Sequence, residues 1–157
     1  MSSSSAPIIL CIDDHLSGLV GRQALLEQCG YRVLPATGAR EGLALFENNP
    51  VAAVILDYQM PGMNGDVVAA KMKNMRADVP IMLLSGHSSP PRRKLKGIDS
   101  FLSKSESPAN FISAVQVLVQ DGHKPPFRRW LDDWKIRIGR SLRAIPITRG
   151  HNFRNSH

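Results

Sequence analysis

Five side chains carry the chemistry open to this chain: Asp13 and Asp14 in "CIDDH", Asp57 in "VILDYQMPGMNG", Ser85 in "PIMLLSGH" and Lys104 in "FLSK". Three carboxylates gathered in a partly desolvated cleft repel one another, and a cation relieves that repulsion. Oxygen-only ligands with open positions suit Mg2+, which keeps several waters and usually binds through one or two carboxylates plus phosphate. No His or Cys is expected to accompany the cluster, which argues against zinc. An aspartate beside Mg2+ and a lysine can attack an activated phosphoryl group, because the cations neutralise its equatorial oxygens. The product is an aspartyl phosphate. Taken singly, each part has a plainer reading: "IDDH" as an acidic turn capping a helix, Asp57 as a cap, and Ser85 and Lys104 as residues that alone mean nothing. The weight lies in the conjunction of all five, each at the end of an apolar run.

That conjunction needs elements that deliver the five to one rim. Short apolar runs bounded by turn residues occur at 7–12, 31–36, 51–56, 80–85 and 98–103, as expected for strands buried on both faces of a parallel sheet. Between them lie helical patterns: Leu16, Leu19, Val20, Leu26 and Cys29, closed by Gly30; then Ala39, Gly42, Leu43 and Phe46; then Val68, Met72 and Met75. A fourth helix is expected within "SSPPRRKLKG", with Pro90 and Pro91 confined to its first turn. A fifth begins at Ser107 and Pro108 and shows an apolar face of Phe111, Ile112, Val115, Leu118 and Val119. Alternation of this kind implies a doubly wound α/β domain with five parallel strands and five helices. In such folds ligands bind beyond the carboxyl ends of the strands, where the five polar residues fall.

On those residues, the stretch from about Ile8 to Gly122 resembles the receiver domain of bacterial two-component response regulators. "CIDDH", "VILDYQMPGMNG", "PIMLLSGH" and "FLSK" stand at that family's spacing. The resemblance implies a flavodoxin-like fold and a phospho-acceptor switch, phosphorylated by a sensor histidine kinase or phosphotransfer protein. It implies Asp57 as phospho-acceptor and Mg2+ held by Asp14, Asp57 and the backbone carbonyl of Gln59, with Asp13 acting through water. Lys104 would contact the phosphoryl group, Ser85 would hydrogen-bond it after transfer, and Phe101 would swing inward behind Ser85, although Phe101 also reads as a plain core aromatic. Gln59 and His87 would tune the phosphate's lifetime, unless His87 is simply a solvated loop residue. Arg92, Arg93, Lys94 and Lys96 form either a solvated basic face or part of a homodimer surface made by the fourth helix, fifth strand and fifth helix. In the family a proline in a cis peptide usually follows the lysine. Here Ser105 follows, and a non-proline cis bond costs about 2.5–4 kcal/mol, so strain or another loop path is expected.

The charge divides the chain. The net +7 arises beyond residue 123: 1–123 holds 11 Lys+Arg against 11 Asp+Glu, and 124–157 holds 9 against 2. Residues 1–7 read as a disordered lead-in, 8–122 as the receiver domain and 123–157 as a basic amphipathic tail without a separate output domain. In "FRRWLDDWKIRI", Phe127, Trp130, Leu131, Trp134 and Ile138 form one helical stripe. The tail either folds back on the domain or a second copy, lies on a membrane or partner protein, or binds nucleic acid without sequence readout. No run reaches membrane-spanning length, no signal peptide is visible, and Cys11 and Cys29 make neither a metal motif nor a disulfide framework, so a cytoplasmic protein is expected. A phosphatase of the aspartyl-phosphate type would need a second Asp two residues after the nucleophile, where Gln59 stands. The chain is therefore expected to be a signalling phospho-acceptor rather than an enzyme. The alternative is a receiver-like interaction module that acts without phosphate, its tail binding a partner, membrane or nucleic acid.

Overall fold

Strands that are apolar on both faces need cover on both, and alternating helices supply it. The computed structural model describes residues 5–86 and 97–122. Along them run β1 (Ile8–Ile12), α1 (Leu16–Gln28), β2 (Arg32–Ala36), α2 (Ala39–Asn48), β3 (Val51–Asp57), α3 (Gly65–Met75), β4 (Ile81–Ser85), β5 (Ser100–Ser103) and α4 (Pro108–Gly122). All neighbouring strands pair in parallel, in the order β2-β1-β3-β4-β5. The expected doubly wound sheet is therefore present. The fourth helix anticipated from sequence lies outside the described residues, as do His87, Arg92, Arg93, Lys94, Lys96 and the 123–157 extension. The fifth anticipated helix is α4.

The strand period of two sorts the core into two layers. Leu10, Ile12, Val54, Leu56, Ile81 and Leu83 meet Phe46, Val68 and Met72 from α2 and α3. Ile9, Cys11, Ala53, Ile55, Met82 and Leu84 meet Leu19 and Leu26 of α1 and Phe111 and Val115 of α4. Each fully buried Leu, Ile or Phe contributes about 1.5–3 kcal/mol relative to exposure. Burial also leaves the Cys11 thiol with its pKa pushed up to about 12, an inert core group.

The expected helix stops are seen. Gly30, at φ 87°, closes α1: its N–H donates to Glu27 O at 3.0 Å, and Tyr31 N–H donates to Leu26 O at 3.2 Å. Ser107 Oγ accepts from Asn110 N–H at 3.2 Å, and Pro108 opens α4. Four positions of the expected helical patterns face solvent instead: Leu16, Val20 and Met75 are 63%, 56% and 47% exposed, and Cys29 at the end of α1 is exposed too. Leu16 and Met75 sit at helix ends, where the stripe has run past the sheet. Val20 lies one step round the helix from buried Leu19, off the inward line. Among the described residues no helix is long and apolar enough to cross a membrane.

Candidate functional site

The carboxyl ends of β1 and β3 flank the point where the strand order reverses, and each delivers a carboxylate there. Asp13 extends β1 by one step, its N–H donating to Ala36 O at 3.1 Å. Asp57 is the last residue of β3, and the next N–H, of Tyr58, donates to Leu84 O at 2.8 Å. Lys104 follows β5, and its N–H donates to Ser85 O at 2.8 Å. The loop beyond it is braced by Ser103 Oγ, which accepts from Ser105 N–H at 3.2 Å. The Lys104–Ser105 peptide is trans. After Asp57 the chain turns at Gly62 (φ 80°) and enters α3 at Gly65, whose missing side chain lets the helix touch the strand end. A Cβ on Gly65 would stand 2.4 Å from Asp57 O and 3.0 Å from Tyr58 Cα.

The side chains converge. Lys104 Nζ lies 3.0 Å from Asp13 Oδ2 and 3.0 Å from Asp57 Oδ1. Burial pushes the Asp57 carboxyl above the ordinary carboxylate value and the Asp13 charge adds to this, while Lys104 only partly offsets it. Burial acts the same way on Asp13, but the His15 N–H, Lys104 and Arg22 together outweigh it and hold that carboxyl below its ordinary value. Asp57 Oδ2 and Asp14 Oδ1 are buried with no hydrogen-bond partner. Unpartnered buried carboxylate oxygens are costly, and a hard cation would satisfy them.

Two residues at this rim were not anticipated. His15 Nδ1 stands 3.3 Å from Asp13 Oδ1 and 3.0 Å from Asp14 Oδ1, the latter without hydrogen-bond geometry. The expectation that no histidine accompanies the cluster is thus corrected: Asp13, Asp14, His15 and Asp57 each offer a ligand atom, all within 4.8 Å of one another. His15 belonged to the quoted "IDDH", and a local turn, in which Asp13 Oδ1 accepts the His15 backbone N–H at 2.8 Å, brings its ring back to the carboxylates. The plainer reading of "IDDH" as an acidic turn capping the helix is not met: the N-cap of α1 is His15, and no side chain caps it. Arg22 of α1 donates to Asp13 Oδ2. Its mark in the sequence was a charged residue at i+3 from Leu19 and i−4 from Leu26, in the middle of an inward stripe.

Of the other anticipated residues, Ser85 is buried at the end of β4, and Gln59 lines the same cleft as Asp13, His15, Asp57, Gly86 and Lys104. Phe101 is half-buried against the layer that contains Leu83, its register partner, so the strand period puts it on the sheet face of Ser85. The oxygen-rich donor set with unfilled acceptors fits a divalent cation, toward which Asp13, Asp14, His15 and Asp57 could offer ligand atoms.

Among solved structures, a CheY-like receiver domain from Methanospirillum hungatei is 25% identical, with a TM-score of 0.70 over 75% of this chain and 97% of that one. The response regulator TrrA from Thermotoga maritima, crystallised with Mg2+ and BeF, is 27% identical, with a TM-score of 0.68 over 71% and 98%. Among curated relatives, the sensor histidine kinase GacS of Pseudomonas protegens is 31% identical over 110 residues, 65% of this chain and 12% of that protein. The transcriptional regulatory protein PrrA of Mycobacterium bovis is 29% identical over 119 residues, 74% of this chain and 51% of that protein. The chain thus spans about half or less of these relatives' lengths. Receiver domains bind Mg2+ at an acidic pocket and interact with histidine kinases or phosphotransfer proteins. With residues 9–116 matching the response regulator receiver domain model, this chain belongs to the receiver domain family of two-component response regulators.

Proposed function

We propose that this chain is a Mg2+-dependent phospho-acceptor switch, phosphorylated on Asp57 by a histidine kinase or phosphotransfer partner in the cytoplasm. The observation that carries the proposal is the state of Asp57: one oxygen is 3.0 Å from the Lys104 ammonium, and the other is buried without a hydrogen-bond partner. A carboxylate held this way keeps a lone pair available for attack on phosphorus. In the transfer, an Asp57 oxygen forms the new O–P bond as the P–N bond of the donor phosphohistidine breaks, and the imidazole leaves with the bonding pair and takes up a proton. Mg2+, held by Asp14, Asp57 and the Gln59 carbonyl with Asp13 beyond a water, would supply charge neutralisation at the phosphoryl oxygens.

Lys104 positions the phosphoryl group and offsets its charge. Ser85, buried at the adjacent strand end, donates its hydroxyl to the new phosphate. Phe101, half-buried on the same sheet face, fills the space that the hydroxyl leaves, so that a local charge change alters the β4–β5 surface. Gln59, at the cleft, governs access of the hydrolytic water; His87 shares that role.

The full-length protein incubated with acetyl phosphate and Mg2+ is expected to gain acid-stable, base-labile phosphate, and Asp57→Ala is expected to gain none. No incorporation into the wild type would refute the proposal and favour an interaction module that acts without phosphate.

A further inference from the structure

The inward stripe of α1 is interrupted by one charge. Leu19 and Leu26 are 1% and 0% exposed, and Arg22 stands between them with only 16% of its side chain exposed. A guanidinium so placed needs a counter-charge. It finds Asp13 Oδ2, the oxygen that also lies 3.0 Å from Lys104 Nζ. The sequence makes room for this reach. A Cβ on Gly18, one turn before Arg22, would lie 3.2 Å and 3.3 Å from the two terminal guanidinium nitrogens. Glycine is disfavoured inside a helix relative to alanine, and here its empty side is filled by the arginine.

The consequence falls on the metal-facing groups. Both Asp13 oxygens are engaged by protein donors, Oδ1 by His15 N–H at 2.8 Å and Oδ2 by Arg22 and Lys104. The oxygens left without hydrogen-bond partners belong to Asp14 and Asp57. We propose that Arg22 is a resident counter-ion of the acidic rim: it occupies Asp13, leaves Asp14 and Asp57 to face a divalent cation, and competes with that cation, so setting the concentration the site requires. Gly18 is its cradle. The proposal rests on the Mg2+-binding reading given above.

The competition has a definite sign. A fixed positive charge beside the cation weakens its binding, by about tenfold for a unit charge acting on a divalent ion across roughly 6 Å under water-like screening. Removing the charge tightens binding. It also leaves Asp13 Oδ2 with Lys104 alone, so that more of the Asp13 charge acts on the cation.

The test is calorimetric titration of the full-length chain with Mg2+, with circular dichroism and a thermal melt confirming that each variant folds. Arg22→Met is expected to bind Mg2+ about tenfold more tightly than the wild type, and Arg22→Lys to stay near wild type. Asp13→Asn is expected to weaken binding in both backgrounds, and by more in Arg22→Met, where no guanidinium offsets the carboxylate. Gly18→Ala, which crowds the guanidinium and leaves its charge in place, is expected to tighten binding in the wild type and to have no effect in Arg22→Met. Unchanged or weaker Mg2+ binding in a folded Arg22→Met would overturn the counter-ion role while leaving the phospho-acceptor reading intact. Absence of Mg2+ binding in both wild type and Arg22→Met would overturn both.

Discussion

The Lys104 ammonium rests 3.0 Å from Asp57 Oδ1, yet the Asp57 carboxyl still lies above its ordinary pKa. One cation does not repay the burial of this carboxylate, because Lys104 is shared with Asp13, which Arg22 also contacts. Asp13 and Asp57 therefore stand on opposite sides of the ordinary carboxylate value although they face the same lysine. Asp13 is the stabilised member of the pair. Asp57 is held at a cost to the fold, because burial disfavours its charged form.

This asymmetry gives opposite pH dependences. A carboxyl raised in the folded state binds its proton more tightly there, so stability falls as pH rises from the ordinary value of 3.8 through the raised folded value. A lowered one contributes stability above 3.8 that is lost as pH falls through the folded value. Without divalent cations, Asp57→Asn is expected to melt higher than the wild type at pH 7, and the gain should vanish as pH approaches that value. Asp13→Asn is expected to melt lower at pH 7, losing about 1–3 kcal/mol as Arg22 and Lys104 give up a buried partner. Thermal melts across pH in EDTA check both signs.

The unpartnered oxygens make a second expectation. A cation that binds only the folded form raises stability by RT ln(1 + [L]/Kd), about 2.7 kcal/mol at a hundredfold excess over Kd. Mg2+ is expected to raise the melting temperature of the wild type, and Asp14→Ala and Asp57→Ala are each expected to remove most of that rise. Adding EDTA should reverse it. A rise that persists in both variants would place the cation elsewhere.

Asp13, Asp57, Ser85 and Lys104 were legible in the sequence because an apolar run that stops at a polar residue marks both a strand and its end. The layers were legible too, since Leu10 and Ile9 must face opposite ways along a strand. Leu16, Val20 and Met75 were misassigned because periodicity defines a stripe but not where the stripe runs off the sheet. Arg22 was missed for a related reason. Its charge breaks the α1 pattern, but the partner is chosen by how α1 lies against β1, which local spacing does not encode. Gly18 and Gly65 read only as glycines until the atoms that would meet their Cβ groups are known.

The start of β5 is fixed by one lysine. Lys73 Nζ of α3 donates to Asp99 Oδ2 at 2.7 Å, Val79 O at 2.7 Å and Ala77 O at 3.2 Å, and Asp99 Oδ2 also accepts Ile81 N–H at 2.9 Å. Both side chains are largely covered, at 16% and 13% exposed. Lys73→Met keeps much of the apolar stem but takes the lysine charge from the largely covered Asp99 carboxylate, and about 1–3 kcal/mol of stability is expected to be lost. Because Asp99 precedes the strand that carries Phe101 and Lys104, amide exchange in 100–104 should rise more than in β1. Equal exchange in the two strands would mean that Lys73 stabilises the fold without anchoring β5.

Two helical glycines stand in opposite surroundings. Gly65 opens α3 against the end of β3, where a Cβ would meet Asp57 O at 2.4 Å and Tyr58 Cα at 3.0 Å. Both obstacles are backbone and cannot swing aside, so Gly65→Ala must displace either the helix or the strand end bearing Asp57. Overpacking of this kind costs about 1–3 kcal/mol or more. Gly21, exposed on α1, has nothing within 4 Å of the same added atom. Gly21→Ala is expected to raise stability by about 0.5–1 kcal/mol, because alanine loses less backbone entropy in a helix. Urea denaturation compares the two directly. Acetyl-phosphate labelling should be unchanged in Gly21→Ala and slowed in Gly65→Ala even where the fold is fully populated. Normal labelling in a destabilised Gly65→Ala would show that α3 gives way and leaves the carboxylate in place.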